Sequence, residues 1–264
     1  LAATLQETGS KIPGGAFRMP IDRVFNVHGR GVVITGTQIS GSIDVGDDVS
    51  IVPGARRYRV RGLQKHGQDI QHGGAGDRLA INLTGAESSD FHRGDVACDP
   101  MIATEANRID VSLSVAGHAV QGLKTGQRLR LHIGTAERIV TVFLLGQETA
   151  LAKGATGFAQ FRLRDPAQVM AGDRFVLRDE QAEHTLGGGV VLDPDAPKLR
   201  LDDPERLDFL QAMYAGETAQ ALERLLCASK KIGILSDQLR LRLNLTPQDF
   251  QAAIQANPSL VLLG

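Results

Sequence analysis

Arg56-Arg-Tyr-Arg-Val-Arg61, followed by Lys65-His66, places four arginines in six residues. Side chains alternate faces along a strand, so Arg57, Arg59 and Arg61 are expected on one face, with Tyr58 and Val60 turned to a core. A guanidinium grips phosphate oxygens bidentately, so a stripe of three, with Lys65 beyond it, suits a nucleic-acid backbone. No acid lies between Asp48 and Asp69 to neutralise the strand. The competing use is a solvated outer face. A second pair, Asp22-Arg23, interrupts the apolar run Pro20-Ile-Asp22-Arg23-Val-Phe25. A buried charge needs a partner, and the residues alone favour a strand-end ion pair.

Other chemistries are missing. The sequence has no Gly-x-x-x-x-Gly-Lys-Ser/Thr, and no Gly-Lys dipeptide at all, so it offers no phosphate loop of that kind. Gly187-Gly-Gly189 lies between Thr185-Leu186 and Val190-Val-Leu192 with no helix after it; close backbone packing in a strand is expected there. The seven histidines never take metal-ligand spacing, and His66 and His72 flank a turn. No Gly-x-Ser-x-Gly elbow is present. The residues alone describe a binding module.

Composition sets the frame. Apolar residues make up 42% of the 264 residues, charged residues 22%, and the net charge is -1. That is a globular composition, and the length allows one large domain or two to three small ones. It excludes a globally basic coat but allows a local basic patch. No apolar run approaches the ~18–20 residues that span a bilayer. Two distant cysteines, Cys98 and Cys227, rule out a disulfide framework and fit a reducing cytosol.

The elements that must position these residues are short. Arg30-Gly-Val-Val-Ile-Thr35, Asp48-Val-Ser-Ile-Val52, Arg78-Leu-Ala-Ile-Asn-Leu83 and Gln127-Arg-Leu-Arg-Leu-His-Ile133 read as strands, most of them bounded by Gly, Asp, Asn or Pro. Gly46-Asp47, Gly76-Asp77, Gly94-Asp95 and Gly172-Asp173 each lead into one, with Gly supplying a positive φ and Asp a side-chain bond to backbone two residues on. Ala75-Gly-Asp-Arg78 and Ala171-Gly-Asp-Arg174 are expected at equivalent corners of two related barrels. After Asp193 helical spacing takes over: Asp203-Pro-Glu-Arg206 and Thr246-Pro-Gln-Asp249 read as capped helix starts, and Leu260–Leu263 as a closing strand. The expected fold is mainly β with an α-helical C-terminal part: two antiparallel β-barrels, then a winged-helix unit.

Here the sequence becomes familiar. Phe17-Arg-Met-Pro-Ile-Asp-Arg-Val-Phe25, Gly29-Arg-Gly-Val-Val-Ile-Thr-Gly36 and Gly41-Ser-Ile-Asp-Val-Gly-Asp-Asp-Val49 resemble the first barrel after the GTPase domain in the elongation factor Tu superfamily. Asp22-Arg23, Val60-Arg-Gly-Leu-Gln64 and Ala75-Gly-Asp-Arg-Leu-Ala-Ile-Asn-Leu83 resemble the selenocysteine-specific (SelB-type) elongation factors more specifically. Leu131-His-Ile-Gly-Thr135, Gly172-Asp-Arg-Phe-Val-Leu-Arg178 and Thr185–Pro194 match that family's second barrel and its exit.

The resemblance implies a chain that binds selenocysteinyl-tRNA for delivery to a ribosome at a recoded stop codon, in the cytoplasm, as a monomer and without a membrane. It divides the chain into a remnant of a GTPase domain and linker at 1–16, barrels at 17–100 and 101–193, a helical linker at 194–216 and a truncated winged-helix domain at 217–264. GTP and magnesium would belong to the missing domain, leaving this chain without cofactor or catalytic residues. The messenger-RNA hairpin would be held by winged-helix domains missing here. On the family's amino-acid pocket fall Asp22, Arg23 and Arg78; a selenol is an anion at neutral pH, and two guanidiniums favour it over a neutral side chain. The helix from Thr246 to Ala256 offers Gln248, Asp249, Gln251 and Gln255 but no cation; with Lys230, Lys231, Arg240 and Arg242 mixed among acids, this domain is expected to act as a spacer. The alternative reading is the barrel portion of another elongation-factor-Tu-like GTPase, such as a sulfate-activating GTPase subunit.

Overall fold

The structure, a computed structural model, describes residues 15–29, 31–146, 149–198, 203–229 and 235–257. Most of the segment read as a GTPase-domain remnant, together with Lys230, Lys231 and the strand expected at Leu260–Leu263, lies outside the described residues. The chain divides into two compact units, Leu1–Thr104 and Glu105–Gly264.

In the first unit the strands are β1 (Arg18–Val27), β2 (Gly31–Thr37), β3 (Ser42–Asp44), β4 (Asp48–Val52), β5 (Arg56–Lys65), β6 (Gln68–Ile70), β7 (His72–Gly74), β8 (Arg78–Leu83) and β9 (Val96–Cys98). They run in the order β4-β9-β1-β2-β8-β5, and β5 returns to β4, closing a six-stranded antiparallel barrel. Closure removes free edges that strands this short could not otherwise protect. Alternation fills the interior: Leu79, Ile81 and Leu83 of β8 meet Val32 and Ile34 of β2 in one core with Met19 and Ile21. Two 3-10 turns interrupt the strand pattern, Pro100–Ile102 after β9 and, between β8 and β9, Ser88–Asp90. Its Asp90 accepts a hydrogen bond from Arg56 at 2.5 Å. Burial pushes the Cys98 thiol up to about 12, which makes it a packing residue and not a nucleophile.

The second unit has β10 (Ala106–Val115), β11 (Leu123–Lys124), β12 (Arg128–Ile133), β13 (Ala136–Leu144), β14 (Ala150–Leu151), β15 (Thr156–Ala167), β16 (Arg174–Arg178) and β17 (Thr185–Asp193). It closes as β10-β15-β13-β12-β16-β17. Gly187–Gly189 lies in β17, between β10 and β16, as close packing demands: a Cβ on Gly189 would stand 1.9 Å from the Ser112 carbonyl oxygen.

The two barrels are wound differently, which corrects the expectation of equivalent corners. The first strand of the first barrel pairs with the second and sixth barrel strands; that of the second barrel pairs with the fourth and sixth. What the two Ala-Gly-Asp-Arg copies share is a local device. At each Gly-Asp the glycine has φ between +91° and +99°, and its N–H donates to one carbonyl of a neighbouring segment. That same residue's N–H returns to the Asp carbonyl, so Gly46-Asp47 clips Val60, Gly76-Asp77 clips Gln38, Gly94-Asp95 clips Ile21 and Gly172-Asp173 clips Val191. The Asp carboxylate accepts from the N–H three residues earlier, not two residues on. Gly126-Gln127 repeats the device on Val142, with an amide oxygen in place of the carboxylate.

Among the described residues four helices follow: α1 (Pro204–Ala215), α2 (Thr218–Ser229), α3 (Ser236–Arg242) and α4 (Pro247–Gln255). Asp203 and Thr246 accept the N–H three residues on, as N-caps do, and Gly216 closes α1 in the left-handed conformation. Phe209, Leu210, Leu222, Leu239 and Phe250 pack into a core that includes Leu192 of β17.

Candidate nucleic-acid interface

Three turn clips set three site positions on the first barrel. The Gly94-Asp95 clip takes both backbone groups of Ile21, and the register of β1 on β2 slips immediately after it, from Ile21↔Gly36 to Arg23↔Thr35. Asp22 is the bulged residue, and a bulge re-aims a side chain. Gly76-Asp77 clips Gln38 and delivers Arg78 opposite Thr37. Gly46-Asp47 clips Val60, after which β5 slips again, from Val60↔Leu83 to Gly62↔Asn82.

Two of the three expected pocket residues meet. Arg78 Nη1 donates to Asp22 Oδ2 at 2.5 Å, and Thr35 Oγ1 donates to Asp22 Oδ1 at 2.8 Å. Burial works against the Asp22 carboxylate, but the Arg78 and Thr35 hydrogen bonds and the Arg78 and Arg23 charges hold it below its ordinary range. Asp22 in turn raises Arg78. Arg23 is exposed and forms no ion pair among the described residues. The sequence reading missed Thr35.

Beside this pair opens a cleft of about 600 Å³, walled by Val27, Val33, Leu63 and Ile70 and edged by Arg61, Gln64, Gln71 and Asn82. On β8 the burial alternation puts Arg78, Ala80 and Asn82 on the outward face, and the ladder sets Ala80 against Thr35 and Asn82 against Val33. Ion pair and cleft therefore share one barrel wall. The signal was present in the sequence as two outward faces, Val33-Thr35 and Ala80-Asn82, that carry no charge.

The arginine stripe is partly redrawn. Arg57 and Arg59 are exposed and form no ion pair among the described residues, although Asp48 stands opposite Arg59 on the ladder. Tyr58 turns inward against Phe91, ring centroids 5.2 Å apart. Arg61 does not continue their face: it is the extra residue of the β5 bulge, so Val60 and Leu63 are both buried and Arg61 edges the cleft. Lys65 Nζ is paired with Asp77 Oδ1 at 2.6 Å.

A second polar node went unread. Asp110 and Asp193 are fully buried in the second unit. Arg206 of α1 bridges both, Arg242 of α3 holds Asp193 through Nε at 2.9 Å and Nη2 at 2.7 Å, and Gln160 donates to Asp110 at 2.8 Å. The rule applied to Asp22 would have found it, since Ile109-Asp110-Val111 and Leu192-Asp193 are acids in apolar runs. Arg240 is paired with Asp237. His72 Nδ1 lies 2.9 Å from Asp44, and no group of three metal-ligating side chains occurs among the described residues.

The comparisons follow the same division. The family profile for "Elongation factor Tu domain 2" matches residues 31–98. The profile "Selenocysteine-specific elongation factor, beta-barrel domain" matches residues 107–198. The selenocysteine-specific elongation factor of Desulfomicrobium baculatum is 35% identical over 79% of this chain and 33% of its own length. That of Escherichia coli (strain K12) is 31% identical over 77% of this chain and 31% of its own length. The chain thus spans about a third of the length of the curated relatives it matches. A crystal structure of bacterial selenocysteine-specific elongation factor EF-Sec covers 99% of this chain and 41% of that chain, with a TM-score of 0.77 at 22% identity, a likeness of fold. Matched in order, barrel by barrel, the chain is similar to the two-barrel part of the selenocysteine-specific elongation factors.

Proposed function

We propose that this chain is the two-barrel part of a GTP-dependent factor that binds selenocysteinyl-tRNA and delivers it to the ribosome at a recoded stop codon. The observation that carries the reading is the shared wall of the first barrel: a carboxylate and two guanidiniums beside a cleft with apolar sides and a rim of amides, Arg61 and Asp69. Asp22 suits the α-ammonium group of an esterified amino acid, Arg78 and Arg23 suit its selenolate, and the cleft suits the terminal nucleoside, whose base has flat faces and a polar edge. Arg57 and Arg59 suit backbone phosphates, Arg61 suits a phosphate at the cleft edge, and Lys65 is a weaker contributor because Asp77 already holds it. The second-barrel profile and the named relatives support this reading over a sulfate-activating GTPase subunit.

GTP and magnesium do not fit the residues present. The glycine run is locked inside β17, and no phosphate loop exists in the sequence. In this reading nucleotide and metal are held by a domain outside the 264 residues, as is the messenger-RNA hairpin. The helical tail is a spacer: α4 exposes Gln248, Asp249, Gln251 and Gln255, while Arg240 and Arg242 are committed to acids. The factor works in the cytoplasm as a monomer; no described helix is long and apolar enough to cross a membrane.

The test is Arg78→Ala in the complete GTP-bound protein. It should weaken selenocysteinyl-tRNA more than the same tRNA carrying serine, by about 1.5–3 kcal/mol, the size of a hydrogen bond to a charged group. Equal weakening of both would leave Arg78 as a barrel-rim ion-pair partner and end the pocket reading.

A further inference from the structure

We propose that Arg78 is an exchangeable guanidinium: Asp22 holds it in the free protein, and an aminoacyl ester with an anionic side chain draws it off by an exchange of ion pairs. The inference rests on the pocket reading above and deepens it. Both Asp22 oxygens are already engaged, Oδ2 by Arg78 and Oδ1 by Thr35. The Arg78 side chain is 49% exposed, so its guanidinium can move within the wall without unpacking the core.

An α-ammonium group that arrives at Asp22 competes with Arg78 for Oδ2. With a neutral side chain on the ligand, one cation is left without an anion: either Arg78 or the ammonium. With an anionic side chain, Arg78 passes to the ligand, the ammonium takes Oδ2, and both charges stay paired. Specificity then comes from a penalty imposed on the wrong ligand as well as a contact made with the right one. Thr35 keeps Oδ1 throughout, so the carboxylate does not turn with the departing arginine; Thr35 is a positioning residue. Arg23, exposed at the adjacent position and without an ion pair among the described residues, adds positive potential where the anion settles.

The exchange makes a prediction, measured at one fixed salt concentration in the complete GTP-bound protein with one tRNA carrying either serine or selenocysteine. Asp22→Asn should weaken both, because the ammonium loses its carboxylate. It should leave the selenocysteine-to-serine affinity ratio within about twofold, because each complex loses one ion pair; an Arg78 that stayed on Asp22 in both wild-type complexes would instead be released to the selenolate by the substitution and raise the ratio about three- to tenfold. Thr35→Val should weaken both tRNAs and leave the ratio within about twofold. A ratio that rises several-fold in Asp22→Asn overturns the exchange. Should the pocket reading itself fail, the sign is different: Arg78→Ala leaves the ratio untouched. A measurement without mutation guards against misfolding: the Arg78 Nε–H resonance should differ between the free protein and its selenocysteinyl-tRNA complex, and an identical resonance in the two states also overturns the proposal.

Discussion

Arg59 and Lys65 lie on one strand and offer a polyanion different things. Arg59 is exposed and makes no ion pair among the described residues, so a phosphate meets a guanidinium whose counter-ions are mobile. Lys65 must first leave Asp77, whose carboxyl is held low chiefly by that lysine. Arg59→Ala should therefore weaken seryl- and selenocysteinyl-tRNA alike and reduce the salt slope of binding by about one unit. Lys65→Ala should reduce it by clearly less; a full unit lost at Lys65 would show that Asp77 releases it on binding. Residue types were legible in the sequence here, and so was the lack of nearby acids between Asp48 and Asp69. Direction was not. Arg61 was placed with Arg57 and Arg59 by alternation, and one bulge residue moves it to the cleft. The pairing of Lys65 was not legible either: its partner, Asp77, is twelve residues away and becomes a neighbour only when β5 pairs with β8.

At the scale of elements, the recurring glycine turn does more than reverse the chain. It fastens a strand at one residue through two backbone bonds, and in the first barrel each of three such fastenings sits beside a site residue. The sequence shows the dipeptide but not its target, because the clipped residues Ile21, Gln38, Val60, Val142 and Val191 carry no common side chain: the contact is made by backbone. For the same reason Gly126-Gln127 escaped notice, since an amide oxygen can accept where a carboxylate does elsewhere. Two glycines of the second barrel separate conformational cost from steric cost. Gly172 has φ +91° with open space around it, so Gly172→Ala should cost about 1–2 kcal/mol through backbone strain. Gly189→Ala would drive a methyl into the Ser112 carbonyl and should cost about 3 kcal/mol or more, or prevent closure between β10 and β17. Urea unfolding of the second unit would rank them, and equal costs would mean that β17 can move off β10 freely.

For the molecule as a whole, the question is what makes barrel and helices of the second unit one body. Apolar packing of Leu192 on Phe209 and Leu210 contributes, but the specific lock is ionic: two arginines, one from α1 and one from α3, converge on two buried acids of the barrel. The acids are not alike. Burial, the largest influence on both, raises Asp110 above its ordinary range, since Arg206 and Gln160 do not fully offset it. Asp193 ends below its ordinary range because the Arg242 hydrogen bonds and the Arg206 and Arg242 charges outweigh burial. Asp193→Asn should thus be severe, about 3–5 kcal/mol, by leaving two arginines around a neutral group. Asp110→Asn should cost far less, because the amide resembles the neutral form that burial favours. The pH dependence follows with opposite signs. Folding disfavours the Asp110 anion, so its contribution to stability grows as pH falls through its raised folded value. The Asp193 contribution is fully present above the ordinary value of 3.8 and is lost as pH falls through its lower folded value. Acid titration of the second unit should show stability holding or rising on first acidification and collapsing only below about pH 4. In Asp110→Asn the early rise should vanish while the late collapse remains. An early rise that survives in Asp110→Asn would place the weak acid at Asp193 and reverse the assignment.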